Sequence, residues 1–320
     1  MTRQALIIDC DPGVDDAVAL MLAFGSSELD LLAVTAVGGN VPVEKTARNA
    51  RMLRQIAGRL DVPVFMGADR PLRREPAGAG EFHGAEGLGD MAPFEPDAPC
   101  AEGHAADAII ELVMGRPETS VALAVLGPLT NLALALRKEP RLAGRLGPVA
   151  IMGGARSEGG NITASAEFNI WADPEAAAEV LATGCEAVLF GLDATHQVRA
   201  TEARIAALEA AGTPMADAAA SMMRFSQRVE RRIVGWPSLS EWGPPVHDPC
   251  PVAWLLRPDL FQLKPCRIAV ETESELTRGH TAVEFRPSVA GSLPHRWAVS
   301  ADAEGIFALI TGAVRPRRTI

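Results

Sequence analysis

The chain has 320 residues, of which 48% are hydrophobic, so it can bury the core of one large α/β domain or of two ordinary domains. Thirty basic residues against forty acidic ones leave a net charge of −10. That charge disfavours nucleic acid or an anionic membrane surface as the main partner, because both repel an acidic protein. We therefore expect a small, neutral substrate.

The cysteines and the N-terminus indicate the compartment. The five cysteines are odd in number, widely spaced and never arranged as CxxC, so neither a disulfide framework nor a zinc site is predicted. The N-terminus enters an apolar run within a few residues and has no features of a signal peptide. No apolar run reaches transmembrane length. We expect a cytoplasmic protein with no membrane partner.

Four carboxylates lie between two apolar segments near the N-terminus. Residues 5–8 read as a buried strand, Pro12-Gly13 as a turn, and the chain from Asp15 onward as an amphipathic helix. A helix cap would explain Asp15 or Asp16, but it leaves Asp9 and Asp11 at the strand end. Several like charges in one corner raise one another's pKa unless a cation neutralises them. The stretch predicts a site for a hard metal ion.

Strand and helix patterns alternate along most of the chain. Predicted strands cover 5–8, 30–37, 62–66, 121–126, 144–152 and 186–190, and predicted helices cover 15–24, 43–57, 105–114, 129–137, 174–183, 201–232 and 250–256. Short strands, a hairpin and a helix over 301–312 follow. This alternation predicts one domain over residues 1–320, with an open, mostly parallel, twisted Rossmann-like sheet flanked by helices. In such folds the active site lies at the carboxyl ends of the strands.

Two irregular segments follow predicted strands, over 67–103 and 159–173. Long irregular segments in compact domains are usually functional loops or disordered. The arginine-rich end of the 201–232 region is expected to be a solvated face, with a pocket edge as the alternative. Four histidines without a distinctive context are expected to be surface or hydrogen-bonded residues: His104, His196, His280 and His295.

The segment Asp9-Cys10-Asp11-Pro12-Gly13-Val14-Asp15-Asp16-Ala17 closely resembles the N-terminal signature of the inosine-uridine preferring nucleoside hydrolases. Other segments resemble further blocks of that family in the same order: 37–40, 82–89, 126–131, 161–176, 247–249 and 271–279. The resemblance therefore spans nearly the whole chain, and each block falls where the patterns predict a strand end or a loop.

The resemblance implies hydrolysis of the N-glycosidic bond of ribonucleosides to ribose and a free base, with a calcium ion in the pocket. By position, the calcium ligands would be Asp11, Asp16, the backbone carbonyl of Leu126, and Asp248. Asp11 would also be the general base, with inversion at the anomeric carbon. Asp9 would support the ligating carboxylates. Family resemblance also implies a homo-oligomer, either a dimer or a tetramer.

The resemblance assigns further residues to the substrate. The ribose hydroxyls would be held by Asp15, Asn40, Asn161, Glu167 and Asn169, although a single loop asparagine more often stabilises a turn. His247 and His83 match base-side positions, where a histidine can protonate the leaving base. The chain has no tyrosine, whereas family members often cover the base with one. Phe225 or Trp236 is predicted to stack on the base instead, with core packing as an equal alternative.

Two other functions fit part of the pattern. A strand that ends in Asp-x-Asp also resembles the haloacid dehalogenase-type phosphatases, in which Asp9 would be the nucleophile. The later asparagine and His-Asp blocks would then have no role. A non-catalytic nucleoside-binding or calcium-binding protein is the third possibility. Retention of Asp11 and of all the predicted side-chain ligands argues against it.

Overall fold

The structure is a computed structural model that describes residues 3–233 and 243–316. Over these residues, nine strands form one sheet in the order β3-β2-β1-β4-β5-β6-β9-β7-β8. The strands are β1 (Gln4–Cys10), β2 (Leu29–Ala36), β3 (Val64–Met66), β4 (Val121–Val125), β5 (Val149–Met152), β6 (Ala187–Phe190), β7 (Phe261–Val270), β8 (Thr281–Glu284) and β9 (His295–Ala301). The pairs from β3 to β9 are parallel, and β7 pairs antiparallel with both β9 and β8. The predicted α/β fold with a mostly parallel sheet is confirmed.

Helices cover both faces of the sheet. They are α1 (Val14–Gly25), α2 (Val43–Ile56), α3 (Gly80–His83), α4 (Ala105–Met114), α5 (Thr130–Lys138), α6 (Leu142–Arg145), α7 (Phe168–Ala172), α8 (Pro174–Ala182), α9 (Leu192–Thr195), α10 (Glu202–Glu209), α11 (Pro214–Ile233), α12 (Pro249–Leu256), α13 (Pro287–Ala290) and α14 (Ala303–Val314). Within the described ranges, no helix is both long enough and apolar enough to span a membrane.

The alternation of side chains along β1 separates two apolar clusters. Leu6, Ile8 and Cys10 point into the cluster that includes α1 and α12, whereas Ile7 points into the cluster that includes α4 and α5. All four side chains are fully buried. Asp9, with the same parity as Ile7, therefore lies on the α5 side of the sheet.

Several predicted elements differ from the observed ones. The strand predicted over 144–152 is shorter, because α6 occupies Leu142–Arg145 and β5 begins at Val149, and the irregular segment 67–103 contains the short helix α3. The 201–232 region is two helices, because the chain turns at Gly212, whose φ is +61°, and restarts at Pro214. The expected polar loop at 159–173 contains the short helix α7. Its N-terminus is capped by the side chain of Glu167, which accepts hydrogen bonds from two backbone N–H groups. Sequence periodicity cannot reveal a helix of five residues.

Candidate active site

A cavity of about 420 Å³ opens at the carboxyl ends of the strands, which is the edge predicted for the site. Its volume lies in the usual range for small-molecule sites. The predicted site residues that line it are Asp15, Asn40, His83, Leu126, Asn161, Glu167, Asn169, His247 and Asp248. The tertiary structure thus gathers residues from both ends of the chain around one space.

Asp11 lies fully buried just beyond the end of β1. Its Oδ2 accepts a 2.7 Å hydrogen bond from the Asn40 backbone N–H, while its Oδ1 is buried with no partner among the described residues. A Cβ at Gly39 or at Gly127 would overlap the Asp11 carboxylate, so both positions require glycine. Burial raises the pKa of Asp11 well above its usual range, and the charge of Asp16 adds to this effect.

Three carboxylates lie together beside Asp11. Oxygen atoms of Asp15, Asp16 and Asp248 all lie within 4.8 Å of one another. Asp16 accepts hydrogen bonds from the backbone N–H of Asp11 at 3.2 Å and of Gly13 at 2.9 Å, so it also caps α1. Burial and the charge of Asp15 raise the pKa of Asp16 to about 7, and burial also raises that of Asp248. Such a cluster needs protons or a cation.

The carbonyl of Leu126 provides a neutral oxygen at the same edge. Leu126 follows β4, the neighbour of β1, and its backbone N–H donates to the carbonyl of Asp9 at 2.7 Å. Its own carbonyl accepts a 2.7 Å hydrogen bond from the side-chain amide of Asn169. Oxygen ligands from three distant segments therefore lie at one corner of the cavity. An all-oxygen set fits a hard cation such as Ca²⁺ or Mg²⁺.

Besides Asn169, three of the predicted ribose-binding residues form hydrogen bonds within the protein. The Asn40 amide donates to the Asp11 carbonyl at 3.1 Å and to Asp16 Oδ2 at 3.2 Å. Asn161 Oδ1 accepts from the Phe168 N–H at 2.9 Å, as expected for a turn asparagine. Glu167 accepts from the N–H groups of Asn169 and Gly154, and burial raises its pKa to about 7. These contacts hold the side chains rigidly at the cavity wall.

His83 ends α3 and faces the start of α1. Its Nδ1 accepts a 3.1 Å hydrogen bond from the Val14 backbone N–H, so in the neutral ring the proton resides on Nε2. Burial lowers the pKa of His83, and the nearby charge of Asp15 opposes that shift. The Asp15 carboxylate lies 4.0 Å from Nδ1. A Cβ on Gly13 would overlap this ring, so Gly13 is required for the arrangement.

His247 lies on another wall of the cavity, next to Asp248. Its Nδ1 is 2.7 Å from the hydroxyl of the fully buried Thr195. Burial lowers the pKa of His247 to about 4. The ring centroid lies 5.7 Å from that of His196, which also lines the cavity. His196 was expected to be an ordinary surface or hydrogen-bonded residue, and its place beside His247 is a feature that sequence reasoning missed.

Asp9 lies below the cavity and does not line it. It is fully buried, and its Oδ1 accepts hydrogen bonds from the Thr35 hydroxyl at 2.6 Å and the Asn131 amide at 2.8 Å. Burial raises its pKa to about 6. These contacts hold Asp9 on the α5 side of the sheet, against Thr35 and Asn131, which disfavours the phosphatase alternative. The contacts fit the supporting role expected for Asp9.

The structure does not bring Phe225 to the cavity. Phe225 packs over Gly89, where an added Cβ would clash with its ring, and against the apolar cluster around α1. The face of α11 that lines the cavity consists instead of Ser226, Val229, Glu230 and Ile233. Residues spaced three or four apart share one face of a helix. The helical period could therefore have predicted this face from the sequence once one of its residues was known. Trp236, the other proposed stacking residue, lies outside the described residues.

The inosine-uridine preferring nucleoside hydrolase family pattern matches residues 6–308. The chain is 37% identical to the inosine-uridine preferring nucleoside hydrolase of Crithidia fasciculata, over 97% of each chain. It is 38% identical to the pyrimidine-specific ribonucleoside hydrolase RihA of Salmonella typhimurium, over 95% of this chain and 96% of that one.

A solved plant nucleoside hydrolase, PpNRh1, superposes with a TM-score of 0.91 at 31% identity, over 98% of this chain and 99% of that one. The match covers both the strands and the loops that build the cavity. The predicted resemblance is therefore confirmed: the chain belongs to the inosine-uridine preferring nucleoside hydrolase family and is an enzyme of that glycosidase class.

Proposed function

We propose that the protein hydrolyses the N-glycosidic bond of ribonucleosides, releasing ribose and the free base. The observation that carries this proposal is the cavity itself, where carboxylates, polar amides and three histidines surround a space of nucleoside size. The family membership supports the same reaction. The relatives named above differ in the bases that their names state, so membership alone leaves the base preference open.

A calcium ion is the proposed cofactor, held by Asp11, Asp16, the Leu126 carbonyl and Asp248. The partnerless buried Oδ1 of Asp11 and the close carboxylates of Asp16 and Asp248 support a cation in this corner. Asp15 belongs to the same carboxylate group and is proposed to hold ribose. When bound, calcium would lower the pKa of a coordinated water and orient the ribose hydroxyls.

Asp11 is proposed as the general base. Its carboxylate belongs to the proposed calcium ligands, so a water held there would lie within reach of it. Its Oδ1, which has no partner among the described residues, could accept the proton of the attacking water. Attack on the anomeric carbon from the face opposite the base gives inversion, as in glycosidases that use water directly. The surrounding carboxylates stabilise the positive charge that develops on the sugar.

The sugar and the base are assigned to different walls. Asp15, Asn40, Asn161, Glu167 and Asn169 would hold the ribose hydroxyls. A deoxyribonucleoside would leave these buried groups unpaired, so ribonucleosides are the expected substrates.

The histidines are assigned to the departing base. His247, held by Thr195, would donate to it as negative charge develops, and His83 would present its Nε2–H beside Asp15.

The direct test incubates the purified protein with inosine, uridine, cytidine, adenosine and guanosine, and then assays reducing sugar. We expect ribose from at least one ribonucleoside and none from its 2′-deoxy analogue. Asp11→Ala should abolish turnover while the protein stays folded. Release of phosphate from phosphomonoesters, with no ribose from any nucleoside, would refute the proposal. Binding of nucleosides without turnover would favour the non-catalytic alternative.

The compartment and the assembly remain proposals. The five cysteines all lie within the described residues and are unpaired, which supports the reducing cytoplasm. The dimer or tetramer stays a prediction from the family resemblance, and light scattering on the purified protein would measure it.

A further inference from the structure

Glu230 places a carboxylate on the cavity face of α11. It lines the cavity together with Ser226, Val229 and Ile233 of the same helix. Its Oε2 is buried and accepts no hydrogen bond from any described residue. A buried carboxylate oxygen without a donor is costly, so a ligand with N–H groups would gain by binding here.

Glu230 and His247 line the same cavity, as does Arg199. The segments 198–200 and 244–246 run side by side through an Arg199–Pro245 bridge and a 2.8 Å hydrogen bond from the Ala200 N–H to the Pro244 carbonyl. They form one wall that leads directly to His247. The charge of Arg199 acts on both His247 and Glu230. Because His247 is assigned to the departing base, we take this wall as the base side.

Arg199 supplies a positive charge that acts on Glu230. Burial raises the pKa of Glu230, and the guanidinium of Arg199 opposes that shift. Arg199 is itself held in place, because its Nε donates to the His196 carbonyl at 2.7 Å and one terminal nitrogen donates to the Gly243 carbonyl at 3.3 Å. The other carboxylates that line the cavity are those already assigned to ribose or metal: Asp15, Glu167 and Asp248.

An ionised carboxylate only accepts hydrogen bonds, and it offers two oxygens side by side. Guanine has two adjacent donors, N1–H and the 2-amino N–H, on one edge. Hypoxanthine and uracil present one ring N–H beside carbonyl oxygens or C–H. Adenine and cytosine place an amino group beside an unprotonated ring nitrogen, which would face the second carboxylate oxygen and be repelled.

We propose that Glu230 determines the base preference of this enzyme by pairing with the N1–H and 2-amino groups of guanine, which makes guanosine-type ribonucleosides its preferred substrates. The inference rests on the proposed function, since it takes the cavity for a nucleoside site. Inosine lacks the 2-amino group and would leave one carboxylate oxygen unpaired. Loss of such a pair typically costs a large factor in specificity.

The test measures kcat/KM for guanosine, inosine and adenosine with the wild type and with Glu230→Gln. We expect the wild type to favour guanosine over inosine by about tenfold or more, the range that one bidentate pair supplies. The amide of glutamine offers one donor and one acceptor, so Glu230→Gln should reduce the guanosine-to-inosine ratio by about tenfold. Because the ratio compares two substrates on one protein sample, a general loss of folded enzyme cancels.

Glu209→Gln is the matched control. Glu209 binds Arg224 of α11 at 2.9 Å on a part of that helix that does not line the cavity, so its loss perturbs the helix without touching the base wall. The Glu209→Gln variant should have the same guanosine-to-inosine ratio of kcat/KM as the wild type. An unchanged ratio in Glu230→Gln, or equal use of guanosine and inosine by the wild type, would overturn this inference while the hydrolase function stands. Failure to hydrolyse any nucleoside would overturn both.

Discussion

At the scale of single residues, the position of Asp11 depends on two neighbouring residues that have no side chain. Gly39 and Gly127 leave room for its two carboxylate oxygens, and the Asn40 N–H fixes one of them at 2.7 Å. Gly39 has no positive φ, so its lack of a side chain matters here rather than its backbone freedom. The proposed general base is thus oriented by steric space and by one backbone hydrogen bond.

Gly39→Ala is predicted to lower kcat by about a hundredfold, because displacement of a catalytic group by about 1 Å has effects of that size. The added methyl group would overlap Asp11 Oδ2. Steady-state kinetics and circular dichroism together measure activity and folding. Gly144→Ala is the control, since an added Cβ there meets nothing within 4 Å. Full activity of Gly39→Ala would contradict the proposed role of Asp11.

His247→Ala is predicted to impair natural nucleosides far more than a nitrophenyl riboside, whose leaving group needs no protonation. His247 lines the cavity, and Thr195 orients its ring. Comparing the loss of kcat/KM on the two substrate types measures how much His247 assists departure of the leaving group. Equal losses on both would show that His247 serves binding or folding instead.

At the scale of elements, one buried histidine joins β9 to its neighbours. His295 is 2% exposed; its Nδ1 lies 3.4 Å from the Ala187 N–H, and its Nε2 lies 3.1 Å from the Leu181 carbonyl. A neutral ring accepts at Nδ1 and donates at Nε2, so both contacts are satisfied. A second proton, on Nδ1, would point at the Ala187 N–H and be repelled by it. Burial accordingly lowers the pKa of His295 from 6.5.

This lowered pKa predicts acid sensitivity. Below pH 6.5 the unfolded chain binds a proton at His295 that the folded protein resists, so stability falls as pH falls through that window. His295→Gln keeps a donor and an acceptor without titrating. Urea unfolding at about pH 8 and about pH 5.5 measures how far the unfolding free energy falls on acidification. We expect a smaller fall in the variant than in the wild type. An equal loss in both proteins would refute the assignment.

At the scale of the whole molecule, the proposed metal site closes only when distant parts of the chain meet. Asp11 and Asp16 lie near the start of the first helix, Leu126 follows the central strand β4, and Asp248 precedes α12. None of these segments alone forms the site, so the unfolded chain offers a bound cation only weak ligands. Binding to the folded state alone must stabilise that state.

Added Ca²⁺ is therefore predicted to raise the unfolding free energy of chelator-treated protein, by about 2.7 kcal/mol at a free concentration of a hundred times Kd. Asp248→Asn should reduce this gain. The exposed Asp259 serves as control, and Asp259→Asn should keep it. Denaturant titrations with and without Ca²⁺ measure the effect. Absence of any stabilisation in the wild type would contradict the proposed cofactor.

Local sequence patterns predicted much of the fold of this protein. The alternation of strand and helix periods predicted the parallel sheet, and the acids after β1 predicted the edge at which the cavity lies. These features are readable because side-chain periodicity and turn residues act over a few positions. The resemblance of the ordered blocks predicted the family.

Tertiary structure alone decided which side chains share the cavity. The side-chain amide of Asn169 contacts the carbonyl of Leu126, 43 positions away in the sequence, and the ring of His196 lies beside that of His247. Phe225 faces the core while Glu230, five positions later, faces the cavity. The rotation of a helix about its axis depends on what packs against it, and that packing comes from residues distant in the sequence. The sequence by itself therefore located the edge that carries the site, whereas only the folded chain determined which side chains line the cavity there.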